Sequence, residues 1–337
     1  MKPDARERYS RQILFPPIGE AGQEKIANAR VAIAGCGALG SFQAESLARA
    51  GVGYLRLIDR DYVDISNLQR QWLYSEADAQ AETPKAIAAV RRISELNSGV
   101  ETVSCVADLT PSNAEELLSD CDVILDGTDN FETRYILNDI SVKFSTPWIY
   151  GAAIGSYGIV MPVIPTEGPC FACMYPEPPA GVQPTCDVNG VLNSVTASVA
   201  ALQVAACVRY LTGDRLRPFV QTLDVWSGEM RRITPQKDPD CRVCGKHQYA
   251  WLEGKRRAPV SLCGRNAVQL HENARPLDLQ SLAERLRPLG DVRVNEFALR
   301  MILPEYQLTF FPDGRAIVKG TTDVGKARSL YSQLVGN

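Results

Sequence analysis

Cys170-x2-Cys173 and Cys241-x2-Cys244 are two CxxC pairs in a chain of 337 residues. Two such knuckles supply four thiolates, the tetrahedral set that zinc takes in closed structural sites. The flanks, Gly168-Pro169 and Asp238-Pro239-Asp240, provide the turns that knuckles require. A redox CxxC is the competing reading. It fits less well, because one redox pair suffices and no thioredoxin-like pattern surrounds either. Zinc here ties the segment after the main sheet to its last strands, so its loss is expected to destabilise the fold.

Gly35-Cys36-Gly37-Ala38-Leu39-Gly40 reads G-x-G-x-x-G. Glycines at this spacing let the backbone approach a phosphate, and a helix N-terminus favours the negative charge. Gly35, Gly37, Ala38 and Gly40 are thus candidate nucleotide contacts. Asp59 comes 19 residues after Gly40, where a carboxylate can hold a ribose hydroxyl. A tight turn without a ligand is the alternative. The motif alone favours NAD or FAD and identifies a nucleotide, not a reaction.

The segment beyond Asp59 is unlike a dehydrogenase. Asp59 to Gln71 (DRDYVDISNLQRQ) is dense in polar groups, among them Asp61, Ser66, Asn67 and Arg70. It lies just past the carboxyl end of a predicted strand, where such sheets bind ligands. Lys85 stands at a predicted helix start, and Asp129-Asn130 come after another strand. Arg70 and Lys85 can neutralise a triphosphate, and Asp129 can hold Mg2+ between phosphate oxygens. Cations with a metal-binding carboxylate suit phosphate chemistry rather than hydride transfer. For each residue taken singly, a solvated surface charge is the competing reading.

Cys186, in Thr185-Cys186-Asp187-Val188-Asn189-Gly190-Val191-Leu192, lies outside both knuckles and after a stretch rich in proline, Pro176 to Pro184. A thiolate in such a loop can attack an acyl-adenylate or carry sulfur as a persulfide. The sequence offers no His beside it to activate it. Cys105, Cys121 and Cys207 read as buried filler, and Cys36 as a small residue of the glycine loop. His247 and His271, the only histidines, are in no catalytic-looking setting.

These residues need a scaffold. Residues 31–34, 54–59, 100–106, 122–126 and 147–150 read as short strands, and 39–50 and 84–96 as helices. Thr83-Pro84 is a helix-start signal, with Thr as cap, and Thr110-Pro111 is a second. The alternation predicts an α/β fold: a doubly wound, mostly parallel, Rossmann-like sheet. Residues 156–165 and 219–235 read as an antiparallel extension, with a helix at about 194–212 between them. Residues 245–258 (GKHQYAWLEGKRRA) read as a linker. Beyond them come a strand, a helix at 278–287, two or three strands over 292–319 with a turn at Asp313-Gly314, and a helix at 323–334. The expected domains are 1–250, carrying nucleotide and zinc sites, and 258–337, a small α+β domain.

Composition excludes some partners. Net charge is −3, with no long basic run, so nucleic acid is not expected. The charged start MKPDARERYSRQ lacks a signal peptide's apolar core, and 195–211 reads as a buried helix rather than a membrane span. A cytoplasmic location is the expectation.

Several segments together resemble the ThiF/MoeB/HesA family, bacterial relatives of ubiquitin-activating enzymes. They are Arg8-Tyr9-Ser10-Arg11-Gln12, Gly35 to Gly40, Asp59 with Ser66-Asn67-Leu68-Gln69-Arg70, Pro84-Lys85 and Thr128-Asp129-Asn130. The family carries the same two CxxC pairs and a cysteine in the Cys186 context. Positions 193–203 depart from it, lacking the usual Pro and Gly. The resemblance implies ATP-dependent adenylation of the C-terminal glycine of a ubiquitin-like sulfur carrier, with release of pyrophosphate. It implies that Asp59 holds the ribose, that Asn67, Arg70 and Lys85 surround the phosphates and that Asp129 binds Mg2+. Arg11 would reach into a partner subunit's site, which implies a homodimer. A cysteine desulfurase or sulfurtransferase is a further expected partner. A ThiS-like carrier of the thiamin pathway is the first expectation and a MoaD-like molybdopterin carrier the second. An NAD or FAD oxidoreductase and a non-catalytic zinc-stapled scaffold are the rivals.

Overall fold

A computed structural model describes residues 3–165, 167–178, 189–256, 262–263, 267–270, 276–295, 298–312, 314 and 316–336. They fall into two compact units, divided near residue 257.

The large unit is built on apolar strands that must be covered on both faces. β1 (Arg30–Ala34), β2 (Tyr54–Ile58), β3 (Glu101–Cys105), β4 (Val123–Asp126) and β5 (Trp148–Ile154) run parallel in the order β3-β2-β1-β4-β5. β6 (Tyr157–Val163), β7 (Val220–Asp224) and β8 (Glu229–Ile233) extend the sheet antiparallel. The order reverses between β1 and β4, and that switch point is where such sheets bind ligands. Helix Ala38–Ala50 ends at Gly51, left-handed at φ +82. Helix Asn193–Thr212 is long and apolar enough to cross a bilayer by length and composition. It buries Val195, Val199, Ala200 and Cys207 in the core shared with β5 and β6.

Three local readings change. Thr83 does not cap helix Lys85–Leu96, and Pro84 stands before it with extended ψ +134. The reason is pairing: Tyr62 bridges Pro84, and Val63 N–H donates to Thr83 C=O at 2.9 Å. The second Thr-Pro signal gives a turn, and the helix begins only at Ala114. Asn113 Oδ1 accepts from Thr110 N–H at 2.9 Å, closing that turn. Residues 245–256 are no loose linker. Trp251 is buried and stacks on Tyr135 at 4.7 Å. Asp139 Oδ2 accepts the N–H groups of Trp251 and Leu252 at 3.0 and 3.1 Å.

The small unit is an antiparallel sheet. Its strands are β9 (Leu262–Cys263), β10 (Ala267–Leu270), β11 (Asp291–Val294), β12 (Leu299–Ile302), β13 (Gln307–Phe310) and β14 (Ala316–Lys319). Their order is β11-β12-β13-β14-β10-β9. Four strands, not two or three, lie between 291 and 319: β12 and β14 alternate buried Leu299, Met301, Ala316 and Val318 with more exposed neighbours, while β13 is buried from Leu308 to Phe310. Helices Leu279–Leu286 and Val324–Val335 cover this core. β13 and β14 pair around the predicted turn, whose Asp313 lies outside the described residues.

Candidate functional site

The glycine loop joins β1 to helix Ala38–Ala50, whose N-cap, Gly37, offers no side-chain cap. The first N–H groups of that helix therefore face outward, ready for an anion. Gly35 is left-handed at φ +88. A Cβ at Gly40 would lie 1.8 Å from the Gly35 carbonyl oxygen, so no other residue fits there. At Gly37 the nearest atom to an added Cβ is Gln71 Nε2 at 3.9 Å, which leaves room for a phosphate. The loop after β4 packs against this one backbone to backbone: a Cβ on Gly127 would meet Gly35 O at 2.2 Å.

Asp59, at the end of β2, ties the loop in place. Its Oδ2 accepts from Cys36 N–H at 2.6 Å and its Oδ1 from Asp61 N–H at 2.7 Å. Burial pushes its carboxyl up, and Lys85 opposes the shift. Lys85 is buried at 7% exposure, with Nζ 3.2 Å from Asp61 Oδ2. Burial favours loss of its proton, but Asp61 and Asp59 outweigh that, so the ammonium is retained. Asp61 is thus the partner that holds Lys85 in place.

Asp64 and Asn67 cap the short turn Ile65–Asn67 reciprocally. Asn67 is 2% exposed, and its Nδ2 has no hydrogen-bond partner among the described residues. Gln71, 5% exposed, leaves Oε1 in the same state. Buried polar atoms left unpaired beside an open glycine loop suit a polar ligand. Arg70 lies over the turn, donating to Ser66 C=O at 2.9 Å, and Ser66 bonds back to Asp64.

Across the switch point, Asp129 is exposed and Asn130 caps helix Phe131–Phe144 by accepting from Thr133 N–H at 2.9 Å. Two residues here were missed by sequence reasoning. Asp126 is fully buried at the end of β4, and Arg134 lies with its Nε 3.6 Å from Asp126 Oδ2. Burial pushes the Asp126 carboxyl up to about 6, against the pull of Arg134. Arg134 also lies over the rings of Phe131 and Tyr150 at 5.4 and 5.3 Å. The signal for Asp126 was available, since it ends a predicted strand beside the switch point. Nothing in sequence marked Arg134 as buried. The glycine loop, Asp59, Lys85, Asn67 and the Asp129 turn thus gather at the carboxyl ends of β1, β2 and β4. Arg11 is elsewhere in its bonding: exposed in Ser10–Ile13, it reaches Ser10 Oγ at 3.5 Å. Cys186 lies outside the described residues.

The four knuckle cysteines do come together, with every Sγ within 4.8 Å of the others. Cys170–Cys173, Cys170–Cys241 and Cys173–Cys244 are 3.9, 3.6 and 3.4 Å apart. Sulfurs bound to zinc at ~2.3 Å on a tetrahedron lie ~3.8 Å apart, so the tetrad fits that ion. His247 turns to Tyr249 Oη at 3.2 Å and takes no part. Cys121 is buried, with the Arg56 guanidinium donating to its Sγ at 3.7 Å.

A model of the ThiF family matches residues 9–243. The chain is 42% identical over 335 residues to the sulfur carrier protein ThiS adenylyltransferase of Bacillus subtilis, covering 98% of this chain and 99% of that protein. It is 36% identical to the sulfur carrier protein adenylyltransferase of Thermus thermophilus, over 71% of this chain and 90% of that one. It is 38% identical to the adenylyltransferase and sulfurtransferase MOCS3 of Sus scrofa, covering 83% of this chain and 60% of that protein. Among solved structures, E. coli MccB with MccA-N7isoASN aligns with TM-score 0.63 and 21% identity, over 71% of this chain and 74% of that one, a likeness of fold.

Proposed function

The chain belongs to the ThiF family, and from that premise we propose that it is an ATP-dependent adenylyltransferase acting on a ubiquitin-like sulfur carrier of the ThiS type. The observation that carries this is the 42% identity to a ThiS adenylyltransferase along nearly the full length of both chains. The uncapped helix behind Gly37 and the unpaired Asn67 and Gln71 atoms support nucleotide binding.

In the proposed reaction an oxygen of the carrier's C-terminal carboxylate bonds to the α-phosphorus of ATP. The bond to the β-phosphate bridge breaks, and pyrophosphate leaves. Both reactants are anionic, so Lys85, Arg70 and the helix N-terminus screen their approach. Asp59 takes the ribose with the carboxylate that also braces the glycine loop, and Asp61 keeps Lys85 in register. Asp129 would hold Mg2+, which supplies further charge neutralisation when bound. Cys170, Cys173, Cys241 and Cys244 would hold Zn2+ as a structural staple. Arg11 would complete the site of a second copy in a homodimer. Cys186 would take part in the later sulfur step, with a desulfurase or sulfurtransferase as donor. The unit beyond 258 would serve structure or carrier docking. The proposed location is cytoplasmic.

The 38% identity to MOCS3, over 83% of this chain, supports a second reading of the same chemistry, on a MoaD-like carrier of the molybdopterin pathway. Mass spectrometry of each carrier after incubation with protein and ATP separates the two. The ThiS-like carrier is expected to gain AMP at its C-terminal glycine. A MoaD-like carrier adenylated in preference would reverse the order, and neither gaining AMP would overturn the reading.

A further inference from the structure

Behind the exposed Asp129 lies a buried clamp to which the adenylation chemistry itself assigns no role. Asp126 is held through its backbone, whose carbonyl accepts from Gln43 Nε2 and Gln203 Nε2 at 2.9 Å each. Its Oδ1 accepts from Thr128 N–H at 2.8 Å and from the Thr128 hydroxyl at 2.7 Å. Arg134 Nη2 donates to the Thr128 carbonyl at 2.8 Å. The amide, hydroxyl and carbonyl of Thr128 are therefore all engaged, by Asp126 and Arg134. On the far side, Asn130 is fixed by its cap on Thr133. Asp129 alone projects from a turn whose neighbours are pinned.

We propose that Asp126 is a positioning residue that acts through Thr128 to aim the Asp129 carboxylate at the metal bound with ATP. The inference rests on the reading of Asp129 as the Mg2+ ligand. A carboxylate on a free turn must be ordered when the metal binds, whereas this one is ordered by the fold. Ordering one backbone residue corresponds to a factor of about ten in an equilibrium constant. The buried setting of Asp126 accords with a role in the fold rather than direct contact: its Oδ1 is taken by Thr128, and its Oδ2 is buried with Arg134 Nε 3.6 Å away. Arg134, beside Asp126, shares the work by holding the Thr128 carbonyl.

The test is calorimetric, on the full chain: the Kd for ATP in EDTA against the Kd for MgATP. Wild type is expected to bind MgATP more tightly. Asp129→Ala should abolish that advantage, and its failure to do so would sink the metal reading itself. Asp126→Ala should cut the advantage about tenfold while leaving the Kd in EDTA unchanged. Asp126→Asn keeps an oxygen for Thr128 and should retain most of it. Thr128→Val, which loses one of the two bonds and lies on the partly exposed turn, should cut it in part, and decides the matter if Asp126→Ala does not fold. If Asp129→Ala loses the advantage while Asp126→Ala and Thr128→Val keep it, Asp126 has no positioning role. If Asp126→Asn is as impaired as Asp126→Ala, the hold on Thr128 is not the cause, and the proposal also fails.

Discussion

Asp139→Asn should change how stability depends on pH. Asp139 is fully buried in helix Phe131–Phe144, and its Oδ1 has no partner among the described residues. Burial pushes its carboxyl up to about 7, the two N–H bonds from Leu252 and Trp251 pull it down, and the nearby charges of Glu253 and Cys241 add to the rise. The unfolded value is ~3.9. The native state therefore binds more protons than the unfolded chain between these values, and stability falls as pH rises. The favourable contribution is complete below pH ~4 and lost as pH passes through about 7. Between pH ~5 and ~8 the loss comes to ~2.6 kcal/mol. Asn does not titrate, and its oxygen accepts the same two N–H groups. Its amide NH2 replaces Oδ1 in a buried place, at a fixed cost of ~1–3 kcal/mol that does not vary with pH. The difference between variant and wild type is thus expected to move by ~2.6 kcal/mol in favour of the variant from pH ~5 to ~8. Urea unfolding at fixed zinc, tracked by the fluorescence of Trp251 and Trp148, measures it. Parallel pH curves, within ~0.5 kcal/mol, would refute the reasoning.

Cys241→Ser should lower bound zinc below one per chain by elemental analysis and lower the melting temperature, since a lost structural metal is lost folding energy. Gly40→Ala places its Cβ against a backbone oxygen, not a pliable side chain, and should abolish ATP binding by calorimetry and destabilise by ~3 kcal/mol or more.

Much of the fold was legible because its signals are local. Apolar strands with glycine turns pointed to the parallel sheet, and two CxxC pairs foretold a tetrad whose members lie 71 residues apart across the knuckles. The candidate ligands Asp59, Asn67, Lys85 and Asp129 were legible from type and from position past strand ends. What escaped depended on contacts between distant segments. Thr83 offered a cap signal, but pairing of residues 62–63 with 83–84 overrode it. Residues 245–256 looked polar enough for a linker, yet Trp251 finds Tyr135 and two N–H groups find Asp139. Asp61 was read as a ligand contact, and its pairing with Lys85, 24 residues away, had no signal in the sequence. Arg134 reads in sequence as one more helix charge, and only burial beside Asp126 marks it.

The most direct measurement is carrier-dependent exchange of labelled pyrophosphate into ATP. The wild-type chain with a ThiS-like carrier is predicted to support exchange, Asp129→Ala to lose it, and Cys186→Ala to keep it, because adenylation precedes the sulfur step. Absence of exchange with both ThiS-like and MoaD-like carriers would contradict the account.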